Sequence, residues 1–123
     1  MLNKPTLREL QLHLDALIRL DRETEWVEFK LNPDWEALGK YISALANSAA
    51  LLEKECSYIV YGVDDATHAV VGTSAHFSTA KHKNQEVESW LLQKLTPKTE
   101  FQPFEFETEA GVHVLLIQIY PAS

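Results

Sequence analysis

A chain of 123 residues, 46% hydrophobic and 24% charged, has the size and composition of one globular domain with a core of its own. Its formal net charge of −7 excludes attachment to nucleic acid through an overall positive field, because phosphate neutralisation by Lys and Arg supplies most non-specific affinity. The single cysteine, Cys56, excludes a disulfide framework and a thiolate metal site. No apolar run is long enough for a bilayer and no signal-type apolar stretch is visible, so the expectation is a cytoplasmic protein with no membrane partner.

Residues 6–21 read as a helix, with Thr6 as cap, Glu9 completing a capping box, and Leu7, Leu10, Leu14, Leu17 and Ile18 forming one apolar stripe. Residues 25–31 switch to alternation. Val27, Phe29 and Leu31 are expected to face inward, with Trp26, Glu28 and Lys30 on the opposite face. The segment NPDWEALGKYISALANSAALLEK predicts a second helix capped by Asp34, whose small residues permit close packing on a sheet. YIVYGV then reads as a central strand, DDATH as a turn, and AVVGT as the hairpin partner.

A third helix is expected over about residues 79–95, buried through Val87, Trp90, Leu91 and Leu95, with Pro97 at its end. The closing segment, FQPFEFETEAGVHVLLIQIYPA, predicts a hairpin turning near Ala110 and Gly111. The expected fold is α+β: a mainly antiparallel or mixed sheet with three helices, in the order α-β-α-β-β-α-β-β.

The chemistry-bearing residues are mostly acidic. Glu28 and Lys30 share a strand face, Glu23 precedes them, and Asp64 and Asp65 end another strand. If those strands are neighbours, the carboxylates could converge on a hard cation such as Mg²⁺, with a lysine beside it, as in metal-assisted phosphodiester cleavage. A solvated strand face and an ordinary Asp-Asp turn are the commoner meaning of such a pattern. Lys81, His82, Lys83 and Asn84 are expected to open the third helix, where positive charge opposes the helix dipole and would suit phosphate contact. The histidines show no metal-ligand spacing and read as scattered solvent residues, and there is no Gly-rich phosphate loop.

Three segments in order resemble a known family. ETEWVEFK is similar to the opening of the Schlafen-type AlbA-like domain, YISALANSA to its alanine-rich helix, and YIVYGVDDATHAVVGT to its strand-turn-strand. The likeness implies an N-terminal helix over 1–22 and the domain proper over 23–123, as part of a longer protein with downstream domains. One departure stands out: most members carry Gly-Gly after the alanine-rich helix, whereas this chain reads AALLEKECS, so the backbone path there is expected to differ.

The resemblance implies two functions. One is a DNA-binding domain of a transcriptional regulator, often in proteins labelled ATP-binding or helicase-related. The other is a metal-dependent endoribonuclease acting on structured RNA through Glu23, Glu28 and Asp65, with Mg²⁺ or Mn²⁺ as cofactor and Lys30 on the phosphate. Asp64 is the alternative third acid. Either function makes DNA or RNA the expected partner, with Lys30, Lys81 and Lys83 as the contacts. A third reading is a non-catalytic interaction module, for which a homodimer is among the allowed assemblies.

Overall fold

A computed structural model describes residues 4–20, 24–95 and 99–122. The elements run α1 (Leu7–Ile18), β1 (Val27–Lys30), α2 (Trp35–Leu51), β2 (Ser57–Tyr61), β3 (Lys81–His82), β4 (Gln85–Glu86), α3 (Val87–Lys94), β5 (Phe101–Glu107) and β6 (His113–Ile119). The main sheet has the order β1-β2-β6-β5, while β3 and β4 form a separate small hairpin. β1 lies parallel to β2, with α2 as the crossover, and the other two pairings are antiparallel. The α+β class, the three helices and the mixed sheet stand as the sequence predicts.

Alternation along the strands divides the core in two. Ile59, Tyr61, Leu115, Ile117 and Ile119 face Leu38, Ile42 and Leu45 of α2 and Trp90 and Leu91 of α3. Val60, Val114, Leu116, Val27, Phe29 and Phe106 face Leu14 and Leu17 of α1. β2 and β6 are therefore covered on both faces, which is why VLLI reads as a continuous apolar run rather than an alternating one. Thr6 and Glu9 form the expected capping box on α1, and Asp34 accepts from the Glu36 N–H at the start of α2.

Four local expectations are corrected. The segment from Thr79 does not enter the third helix, which begins at Val87. Lys83 and Asn84 instead have φ of 53° and 64° and turn the β3–β4 hairpin, a backbone that two successive left-handed residues produce. The AVVGT segment makes one bridge, Val63 to Val70, and no strand. Gly62 and Gly72 end that ladder: both have positive φ, and a Cβ on Gly62 would stand 3.1 Å from the Gly72 carbonyl carbon. Leu31 is 43% exposed, beyond the end of β1. Trp26 precedes β1 and packs towards the α1 cluster with Tyr58, away from the face of Glu28 and Lys30. Pro97, the expected helix stop, lies outside the described residues.

The departure after α2 has a local explanation. The Lys54 N–H bonds the Ala49 carbonyl at 2.9 Å and the Glu53 N–H bonds the Ala50 carbonyl at 3.3 Å. This is a Schellman closure, in which the residue after the cap is left-handed and ordinarily glycine. Here that residue is Glu53, with φ 55°. The turn survives without its glycine.

Candidate functional site

Parallel strands β1 and β2 end side by side, at Lys30 and Tyr61. In open sheets with helical crossovers, ligands are usually met beyond the carboxyl ends of such strands. Glu28 and Lys30 stand opposite Ile59 and Tyr61 in register, so both project towards the α2 face rather than to open solvent. Both are half-buried, because β1 is an edge strand under the flank of α2.

Lys30 is the centre of this group. Its Nζ lies 5.1 Å from the centroid of the Tyr41 ring on α2. The ammonium is held above the ordinary lysine range, first by a side-chain hydrogen bond with Tyr41 and then by the charges of Glu28 and Asp65, against the opposing effect of partial burial. Two carboxylates, one on β1 and one in the turn after β2, thus act on one cation. Tyr61 borders the same group. Burial raises its phenol above the ordinary range, and the neighbouring Tyr41, Asp34 and Glu28 push in the same direction.

The two adjacent aspartates have different work. Asp64 Oδ1 accepts from the backbone N–H groups of Ala66 at 2.9 Å and Thr67 at 3.0 Å. Those bonds hold its carboxyl below the usual range and consume it in shaping the turn. Asp65, the next residue, is exposed and contributes to the field on Lys30. Glu23 lies outside the described residues, and Glu25 is exposed. The structure therefore brings Glu28, Lys30 and Asp65 into one electrostatic neighbourhood, while the third expected acid has no described position.

The basic cluster sits elsewhere. Lys83 Nζ is 3.5 Å from Glu36 Oε2 and His82 Nε2 is 2.7 Å from the same oxygen. The β3–β4 hairpin is thereby fastened to the start of α2, and His82 packs edge-on against Trp90. Lys81 is exposed opposite Glu86. The helix-dipole conflict expected for these residues does not arise, since they precede no helix directly.

The reading of the histidines as scattered solvent residues is also corrected. His68 Nδ1 donates to the Ile18 carbonyl at 2.9 Å and its ring lies 4.5 Å from that of Phe29, fastening the end of α1 to the Asp64 turn. His13 packs edge-on against Tyr58, and burial lowers its pKa. His76 and His113 stack at 4.3 Å beside Glu105. No spacing in the sequence could have paired residues so far apart; only the β5–β6 register and the path after Gly72 do so.

The fold and this site define an α+β domain built on a four-stranded mixed sheet, with a lysine held against Tyr41 in the field of two carboxylates where the parallel strands end. The family described as Schlafen, AlbA_2 matches residues 23–123, and the chain belongs to it. That makes this a nucleic-acid-related domain. α1 precedes the matched range, yet it supplies Leu14 and Leu17 to the second core. No curated protein matches the chain. No helix among the described residues is long and apolar enough to cross a membrane.

Proposed function

We propose that this domain binds nucleic acid at the carboxyl ends of β1 and β2, with Lys30 on a backbone phosphate. The observation that carries this reading is the environment of Lys30, a lysine kept charged by Tyr41, Glu28 and Asp65 on a partly covered sheet face. A lysine flanked by two carboxylates is a poor phosphate site alone, because the local charge is negative. A bound dication reverses that sign.

Glu28 and Asp65 suit such an ion, since hard dications take carboxylate oxygens and usually reach phosphates through one or two of them. When bound, Mg²⁺ or Mn²⁺ would supply neutralisation of the phosphate and a more acidic water. Lys30 would orient the phosphate and offset charge developing on its oxygens. Tyr41 holds the ammonium in place, and the Asp64 turn holds Asp65.

The test is binding of a labelled structured RNA and a duplex DNA to the chain at low salt, with Mg²⁺, with Mn²⁺ and with EDTA. Binding is expected to require the dication and to fall at least tenfold in Glu28→Ala and in Asp65→Ala, with circular dichroism unchanged. Equal binding in EDTA and by Glu28→Ala would overturn the proposal. The convergence of two carboxylates on one lysine also supports a second reading, hydrolysis of the bound phosphodiester. Its signature is dication-dependent cleavage of the RNA that Glu28→Ala abolishes.

A further inference from the structure

We infer that His76, Glu105 and His113 form a second cation site, separate from Glu28 and Asp65, for a first-row transition-metal dication of the Zn²⁺ class. One ligand atom from each residue lies within 4.8 Å of the others, and this is the only such trio of His, Cys, Asp or Glu among the described residues. The three come from three places: the segment after the Gly62–Gly72 crossing, the end of β5 and the start of β6.

Two of the three donors are already oriented. Glu105 accepts from the backbone N–H groups of Phe77 and Ser78, which points its carboxylate at the segment bearing His76. His113 Nε2 donates to the Ala75 carbonyl at 2.8 Å and lies 4.0 Å from Glu105 Oε1. Both side chains are only 20% exposed, so their positions are set by packing. The backbone bonds to Glu105 are of the kind that holds a metal ligand in place, whereas the His113 bond uses the ligating nitrogen itself and is given up on binding. Binding would move the His113 proton to Nδ1, free Nε2 for the metal, and leave the Ala75 carbonyl as a further oxygen beside it.

The donor chemistry selects the ion. Two imidazoles and one carboxylate suit Zn²⁺, Co²⁺ and Ni²⁺, whereas Mg²⁺ and Ca²⁺ prefer oxygen alone. Bonds of about 2.0–2.2 Å require the donors to draw closer than they stand now. His76 can supply that movement, because its side chain is exposed. The stacked rings must also unstack, which a rotation of His76 achieves. The ion would clasp the segment carrying Phe77, itself buried between Trp35 and Phe101, to the β5–β6 hairpin. The same segment holds Thr73, whose hydroxyl donates to Asn32 just beyond β1.

The experiment uses the untagged chain, stripped with EDTA and dialysed, and titrated with Zn²⁺ against a chromophoric chelator. The expected result is one Zn²⁺ per chain, a rise in thermal midpoint with Zn²⁺ but not Mg²⁺, and visible Co²⁺ absorption of a nitrogen-oxygen site. His76→Ala, at an exposed position, is expected to fold and to weaken Zn²⁺ at least tenfold. Glu105→Gln should weaken it comparably, and His82→Ala should not change it. Failure to take up stoichiometric Zn²⁺ at 100-fold excess, or unchanged affinity in folded His76→Ala, would overturn the assignment. So would an equal loss in Glu28→Ala, which would place the ion at the other site.

Discussion

Two clusters on the α2–α3 side of one sheet differ in almost every respect that matters for chemistry. At the β1–β2 end, the charges of Glu28 and Asp65 act on Lys30, so the donors are all oxygen and a positive charge lies in their field. At the β5–β6 end, two imidazoles meet one carboxylate. Oxygen donors with a cation suit a phosphate and a hard ion; nitrogen donors suit a softer ion held for its own sake. One sheet can hold both because register, not sequence proximity, decides which side chains share a face.

A crossed pair of variants breaks or sharpens that difference most strongly. Glu28→Ala is expected to lose dication-dependent nucleic-acid binding at least tenfold and to keep Zn²⁺ affinity. His76→Ala should do the reverse. Filter binding and chelator competition on the same preparations read both quantities. If each variant damages both, the clusters are one unit and the separation drawn above is wrong.

A smaller effect concerns Lys81 and Lys83. Lys83 is already drawn to Glu36, and exposed pairs of this kind carry little energy. If both lysines touch phosphate, Lys81→Gln with Lys83→Gln weakens binding a few-fold at low salt and flattens the salt dependence by roughly 0.7–0.9 per lost contact. An unchanged slope would confine the nucleic-acid contact to the β1–β2 end.

The ionisation of the first cluster gives a pH signature. Lys30 has a folded pKa above its ordinary 10.5, so its share of stability is complete below that value and is lost as pH rises through the folded value. Tyr61 and Tyr58 act in the same window. Burial raises both, Tyr58 to about 12. Above pH 10 the unfolded chain releases these protons first, which favours unfolding. The thermal midpoint should therefore fall steadily from pH 10 to 12, and Tyr41→Phe should shrink the Lys30 share. A midpoint that holds constant to pH 12 would contradict the environment assigned to Lys30.

The sequence made the first cluster legible and hid the second for one physical reason. Glu28 and Lys30 are two residues apart on a strand, and a period of two places such residues on one face whatever the rest of the chain does. Asp65 follows a short β-branched run that could only be a central strand. The face itself was misjudged, since it lies under the flank of α2 and not in open solvent. His76, Glu105 and His113 meet only through the β5–β6 pairing and the tight crossing of Gly62 and Gly72, and neither has a local signature. The hairpin at Lys83 and Asn84 was missed because neither residue is glycine, the usual marker of left-handed backbone. Caps, by contrast, were read correctly at Thr6 and Asp34, because a capping side chain and its backbone partner are near neighbours in the chain.

Glu53 provides the smallest test and a useful control on the others. It occupies the left-handed position of the turn closing α2, exposed and far along the chain from both clusters. A left-handed backbone costs a residue with a Cβ roughly 1–2 kcal/mol relative to its relaxed state, while glycine loses about 0.5–1 kcal/mol of that advantage through unfolded-chain entropy. Glu53→Gly should therefore raise stability by about 0.5–1 kcal/mol in urea unfolding. Neither nucleic-acid binding nor Zn²⁺ affinity should change with it. A variant that gained stability and also altered either affinity would show that these sites report on the rigidity of the whole fold, and the crossed pair of variants would then need reading against that background. A loss of stability would mean that the Glu53 side chain makes a contact stronger than the strain of its backbone.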